Sequence, residues 1–354
     1  MFDFSQLNLF INLAIFAGAG VAVWLAGTRI TSYANTLSNR TGIGQAVIGM
    51  LLLGGITSLP EIGATVTSAA IGAADLALNN LFGSIAFQVV ILVVVDFAIG
   101  RRALTAVVPD PSIFLQGGLN ILLLSMMAAA IVVGDVAILG IGAWAWAGLL
   151  AYIFSIYILA RSQHRQSWLA ADRGKVNRSL QEQQEEAQRK ASQDHSELAL
   201  SRLLLWIVGL GLVILVAGYL LSQTGNAIAE QSGLGGSFIG YVLLAGATSL
   251  PEFSTALAAG RQGLYTLAIS DILGTNLINV GLVFLVDAVA GGDPVLGGAG
   301  PFAAFGALLG IAVTTLFVIG LAERGDKTIA RIGLDSAAVV VTYVAGLIIL
   351  YFLR

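Results

Sequence analysis

The sequence predicts an all-α polytopic membrane protein with ten transmembrane helices arranged as two inverted five-helix repeats. Three observations carry this. Of 354 residues, 57% are hydrophobic and 10% charged, with mean hydropathy +0.89, too little polar surface for a soluble globule. Apolar runs of the roughly 20 residues that cross a bilayer recur ten times. The chain also matches itself at an offset of 191 residues.

The runs lie near residues 9–27, 43–71, 76–99, 113–134, 136–160, 203–221, 234–259, 264–290, 302–322 and 336–353. The first follows Met-Phe-Asp-Phe-Ser, which has neither a basic n-region nor a small-residue cleavage site, so it is expected to stay as an uncleaved anchor. If the runs alternate across the membrane, the connections bearing Arg29, Arg40, Arg101, Arg102, residues 161–202, Arg261, Arg324, Lys327 and Arg331 share one side. Sixteen of the 17 basic residues lie there, and Arg354 lies opposite. The positive-inside rule makes that side cytoplasmic and places both termini outside.

The expected organisation is a first five-helix repeat over 1–160, a cytoplasmic linker over 161–202 and a second repeat over 203–354. Within the linker, Ser179 to Glu197 reads as a charged, Gln-rich solvated helix or tether. It is too short for a separate regulatory calcium-binding domain, and its His164 and His195 are given no role. With no cysteine there is neither a disulfide framework nor a thiolate metal site. A net charge of −3 implies no nucleic-acid partner.

At the 191-residue offset Gly44 pairs with Gly235, Ile48 with Ile239, Gly49 with Gly240, Leu52 with Leu243 and Gly55 with Gly246. Thr57-Ser58-Leu59-Pro60-Glu61 then repeats as Thr248-Ser249-Leu250-Pro251-Glu252, and Gly83-Ser84 falls on Gly274-Thr275. Five helices per half is an odd number, so the second copy enters from the opposite face. Transporters use such inverted repeats, with the site at the repeat interface near the midplane.

Inside the apolar runs the ionisable residues are all acidic: Glu61, Glu252 and Asp271, with Asp96 and Asp287 nearer the water. An unpartnered carboxylate there costs roughly 2.5–3.5 kcal/mol or more, which makes each a functional candidate. The missing counter-charge is best supplied by a cation or proton. Pro60 and Pro251 remove a backbone donor, so each helix is expected to open near the carbonyls of Ile56 and Ala247. Carbonyls around Gly55 and Gly246, and the hydroxyls of Thr57, Ser58, Thr248 and Ser249, would then point toward the glutamates. An all-oxygen site suits sodium, calcium, magnesium or manganese. In the segments that follow, Asn80, Ser84 and Gln88 form one helical stripe; Asp271, Thr275 and Asn279 form the matching one. Helix-to-helix hydrogen bonding is the alternative use of such groups. Asp96 can reach Arg101 or Arg102, so Asp96 and Asp287 are expected to be structural.

The two segments resemble the α-repeats of the sodium/calcium exchangers in the calcium/cation antiporter superfamily, Gly-Thr-Ser-x-Pro-Glu followed by Gly-Asn-x-x-Gly-Ser-Asn. Helix number, inverted halves and central loop extend the resemblance over essentially the whole chain. It implies that Glu61 and Glu252 are shared acidic ligands, and that Thr57, Ser58, Thr248 and Ser249 bind sodium or calcium. It further implies that Ser84 and Thr275 complete outer sodium sites, with Gln88 and Asn279 at the remaining central positions. Departures are Gln88 for the usual Asn, Asn79 and Ser270 for glycines, and Ile85 and Asp271 for asparagines. Asn279, where the potassium-dependent branch is expected to carry Asp, points to a potassium-independent exchanger. The Gly-Asn-Ala-x-Glu segment typical of the proton/calcium branch is absent, although Asp271 adds a carboxylate that could carry a proton.

The expected activity is secondary antiport of sodium against calcium by alternating access. A proton-coupled or other divalent-cation antiporter on the same scaffold is the alternative. A channel fits an inverted repeat within one chain less well. An intramembrane enzyme fits least, since no His or Cys lies in the spans. The ions are substrates rather than cofactors, the other partner is the lipid bilayer, a monomer is the expected state, and the expected location is a prokaryotic inner membrane.

Overall fold

The computed structural model describes residues 4–99, 103–108, 110–162, 198–231, 245–323, 328–329 and 332–353. Outside the described residues fall His164, His195 and nearly all of the linker. Arg101, Arg102, Arg324, Lys327, Arg331, Arg354 and the repeat positions Gly235, Ile239, Gly240 and Leu243 also fall outside them.

The chain is an all-α membrane protein. Among the described residues eight helices are long and apolar enough to cross a bilayer, or nine if one bent pair counts as a span. The first half comprises α1 (Leu9–Thr41), α2 (Gln45–Thr57), α3 (Leu59–Ala70), α4 (Ala74–Ile99), the short α5 (Leu104–Val107), α6 (Ser112–Val133) and α7 (Ala143–Ser162). The second comprises α8 (Leu200–Gln231), α9 (Ala245–Thr248), α10 (Leu250–Arg261), α11 (Tyr265–Ala290), the short α12 (Val295–Gly298), α13 (Pro301–Glu323) and α14 (Leu334–Leu353). Two antiparallel hairpins precede α7 and α14: β1 (Ala137–Ile138) with β2 (Ile141–Gly142), and β3 (Thr328–Ile329) with β4 (Ile332–Gly333). Bounds recur at the 191-residue offset: α3 on α10, α4 on α11, α5 on α12, α7 on α14 and each strand on its counterpart.

Several elements differ from the apolar runs. Asn8 caps α1 by accepting from Ile11 N at 2.9 Å, and Gly42 ends it at φ 70°. Its 33 residues extend well past the run at 9–27, because Thr31, Asn35, Thr36 and Ser38 continue the helix as a polar but buried face. The α8 helix outruns 203–221 in the same way. The run at 136–160 yields its first residues to a hairpin turned by Leu139 at φ 55° and Gly140 at φ 80°.

The run at 43–71 is broken into α2 and α3 with a 45° bend. Pro60 stands in the first turn of α3, where its missing donor costs little, and the chain turns at Ser58. Residues Ile48–Leu53 of α2 form a π-helical segment, which the sequence gives no reason to expect. It lies against α11: a Cβ on Gly49 would come within 2.9 Å of Leu267 O, and one on Gly274 within 2.8 Å of Met50 O. Only hydrogen at these positions lets the two backbones meet.

The spans α4 and α11 are the most enclosed, packing against each other and both against α10; α4 also packs on α13, and α11 on α6 and α7. The long α1 and α8 pack chiefly on each other and turn Phe10, Val21, Leu205 and Val208 outward as a lipid-facing surface.

Candidate functional site

The two helix breaks and the two enclosed spans deliver polar side chains to one place. Thr57 ends α2, Ser58 occupies the break and Glu61 sits in the first turn of α3; Thr248, Ser249 and Glu252 repeat this at α9 and α10. All six are fully buried. A helix N-terminus carries partial positive charge, so a first-turn carboxylate is favoured there. Cβ atoms on Gly55 or Gly246 would meet nothing within 4 Å, so space remains beside both breaks.

From α4, Gln88 donates through Nε2 to Glu61 Oε1 at 3.1 Å and reaches Ser249 Oγ at 3.5 Å, joining both copies of the motif. From α11, Thr275 Oγ1 lies 3.4 Å from Thr57 Oγ1 and 3.5 Å from Gly54 O. Ser84 and Asn279 stand beside the Glu61 carboxylate without closing a hydrogen bond to it. Thr57 stands beside Glu252 and Asp271. Asp271 Oδ2 accepts from Thr255 Oγ1. Ser58 and Thr248 turn their hydroxyls back onto carbonyls, Ser58 to Gly54 at 2.6 Å and Thr248 to Ala245 at 3.3 Å. Asn80 is buried on the α4 stripe with neither amide atom bonded.

The deciding feature is what lacks a partner. Glu61 Oε2, both oxygens of Glu252, Asp271 Oδ1, Gln88 Oε1, Ser84 Oγ and the amides of Asn80 and Asn279 are buried without a hydrogen bond. No lysine or arginine among the described residues acts on these carboxylates. Buried polar groups are ordinarily satisfied, and each orphan costs about 1–3 kcal/mol. So dense a set of bare oxygens has the chemistry that hard cations such as sodium and calcium favour. Among the described residues no three carboxylate or imidazole side chains form a metal cluster, so hydroxyl, amide and carbonyl oxygens must supply most of any shell.

Two residues outside the expected set belong to the same region. Asn276 is fully buried with its whole amide unpartnered, and it occupies the final Asn of the Gly-Ser-Asn pattern, which was its available signal. Thr255 holds Asp271 while also meeting Pro251 O and Glu252 O at 3.1 Å. A lone threonine in an apolar run carries no such signal.

Asp96 and Asp287 lie apart from this cluster. The arginines expected near Asp96 are outside the described residues. Its carboxylate accepts from Leu104 N at 2.6 Å, Gly333 N at 2.8 Å and Ser336 Oγ at 2.6 Å. Asp287 accepts from Val295 N at 2.8 Å and Gly142 N at 2.7 Å.

Comparison with known proteins places this arrangement. Residues 11–168 and 202–352 match the family described as sodium/calcium exchanger protein, which together is most of the chain. The chain belongs to the sodium/calcium exchanger family. Among its relatives is the inner membrane protein YrbG of Escherichia coli, 27% identical over 264 residues that make up 74% of each chain. Another is the putative antiporter CaxA of Alkalimonas amylolytica, 24% identical over 77% of this chain and 78% of that one. The fold resembles the sodium-calcium exchanger NCX_Mj soaked with Na+ and Sr2+, at TM-score 0.67 and 16% identity over 96% of this chain and 98% of that one. Membership of the exchanger family makes the chain a transporter rather than an enzyme, and both helix breaks and both polar stripes fall inside the matched residues.

Proposed function

We propose that the chain is a secondary-active antiporter that exchanges sodium for calcium by alternating access. The observation that carries this is the fully buried pair Glu61 and Glu252, whose carboxylates keep three of four oxygens free of donors, with no basic residue to balance them, among the described residues. Two carboxylates match the charge of one divalent ion, and calcium's flexible shell of about 6–8 oxygens accommodates hydroxyls and amides from both halves. The ligands are Glu61, Glu252, Thr57, Ser58, Thr248, Ser249, Ser84, Thr275, Gln88, Asn279, Asp271 and Asn80, shared in turn by calcium and sodium. Asn279 in place of an acid favours independence from potassium.

The architecture we assign is ten spans in two inverted repeats, 1–160 and 203–354, joined by a cytoplasmic linker over 161–202, with both termini outside. The recurrence of element bounds at one offset supports it. So does the course of α6: Leu104, bonded to Asp96 of α4, precedes it, and Gly142, bonded to Asp287 of α11, follows it. The 22 residues of α6 rise about 33 Å at 1.5 Å each, so α4 and α11 end toward opposite faces. We place the protein in a prokaryotic inner membrane as a monomer. A proton-coupled reading is favoured by one feature, the third buried carboxylate at Asp271.

The test is radiolabelled calcium uptake into proteoliposomes preloaded with sodium, with potassium- and proton-gradient controls. Sodium-driven uptake lost in both Glu61→Gln and Glu252→Gln is expected. Uptake driven solely by a pH gradient would replace sodium with protons as the coupling ion.

A further inference from the structure

The buried aspartates at the ends of α4 and α11 are not used by the ion site, yet each is filled with donors from both halves of the chain. Asp96 takes Leu104 N from its own half and Gly333 N and Ser336 Oγ from the other. Asp287 takes Val295 N from its own half and Gly142 N from the other. Each glycine is the last residue of a hairpin and leads directly into a span, β4 into α14 and β2 into α7. Asp96 lies eight residues beyond Gln88, and Asp287 eight beyond Asn279, about 12 Å along a helix. Neither touches the cluster, but each stands in the last turn of a helix that carries one of its stripes.

We infer that Asp96 and Asp287 are positioning residues, reciprocal latches that fix the axial register of α4 and α11 against the opposite repeat and thereby set ion affinity. This rests on the exchanger reading of the site. Pinned at opposite faces, the two spans cannot slide past one another, and Gln88 stays in reach of Glu61 and Ser249 while Thr275 stays in reach of Thr57. A carboxylate suits the task because it is a pure acceptor at both oxygens. An asparagine would turn an NH2 group toward a backbone N–H, and at 1% and 3% exposure no water repairs the loss. The two latches are unequal: Ser336 adds a third donor to Asp96, while Ala145 stands at the corresponding place near Asp287.

The experiment uses the full chain in proteoliposomes and reads the half-saturating calcium concentration separately from the maximal rate per folded protein. Asp96→Asn and Asp287→Asn are expected to raise half-saturation about threefold to thirtyfold, the range for groups that act on a site through packed elements, with a smaller loss of maximal rate. Ser336→Ala, which removes one donor of three, is expected to give a milder shift in a fully folded protein. Asp110→Asn, whose carboxylate among the described residues bonds within its own half to Ser112 N, is expected to leave half-saturation unchanged. Because the chain has no cysteine, spin labels at Val94→Cys on α4 and Val341→Cys on α14 report the latch directly, and the separation is expected to change with Asp96→Asn. Unchanged half-saturation together with an unchanged label distance overturns the latch. If the wild type moves no calcium, the exchanger reading fails instead, and the label distance alone decides whether the latch holds.

Discussion

Glu252 keeps both carboxylate oxygens bare at full burial, whereas Glu61 has one oxygen held by Gln88. The two copies of the motif are thus alike in sequence and unlike in support. Gln88→Leu removes the donor that orients Glu61 and is expected to weaken ion affinity about tenfold to a hundredfold, read as the calcium concentration that protects the purified protein from thermal unfolding. Thr255→Val leaves Asp271 without its hydroxyl donor. A loss of about 1–3 kcal/mol of stability in ion-free buffer is expected; thermal melts of the variant against the wild type measure it. The candidate site was legible in sequence where polarity contradicted its surroundings twice at one spacing, as at Thr57 and Thr248 or Ser84 and Thr275. Thr255 was not legible, because its partner Asp271 is sixteen residues away and meets it only through the packing of α10 on α11. Asp96 was read as structural from its place near a span end, but its donors from Gly333 and Ser336 come from more than 200 residues away and leave no local trace.

Among the elements, the contact of α2 with α11 is the least forgiving. Gly274→Ala would put a methyl against the Met50 backbone, which cannot move aside as a side-chain tip can. An overpacking cost of about 1–3 kcal/mol is expected, seen as a lower melting temperature, with Gly18→Ala, which meets nothing within 4 Å, as the silent control. Span positions were legible because the bilayer demands long apolar runs, and that demand is local. The π-helical segment of α2 was not, since it answers the close approach of another helix. The polar extensions of α1 and α8 were missed for a related reason: hydropathy ends at Arg29, but burial of Asn35 and Thr36 against neighbouring helices carries the helix on to Thr41. The hairpins before α7 and α14 are too short and too apolar to separate from the spans they introduce.

At the scale of the molecule, the bonds that matter cross between halves: Gln88 to Ser249, Asp96 to Gly333, Asp287 to Gly142 and Asn120 Nδ2 to Leu273 O at 2.9 Å. Neither half should be stable alone. Separate chains covering 1–180 and 181–354 are expected to co-purify and restore sodium-driven calcium uptake when expressed together, and each to be degraded when expressed singly. The repeat itself was plain at a 191-residue offset, and the bounds of α3, α4 and α7 recur at it in α10, α11 and α14. The full count of spans rests partly on residues 232–244, which lie outside the described residues. One feature of the cluster reaches furthest. With Glu61, Glu252 and Asp271 enclosed and no basic residue beside them among the described residues, a vacant carrier would have to reorient with its negative charge uncovered in a medium that solvates charge poorly. Reorientation is therefore strongly favoured when laden in either direction, so slippage is suppressed, one gradient cannot run down without moving the other, and efflux into a medium free of counter-ions should stall.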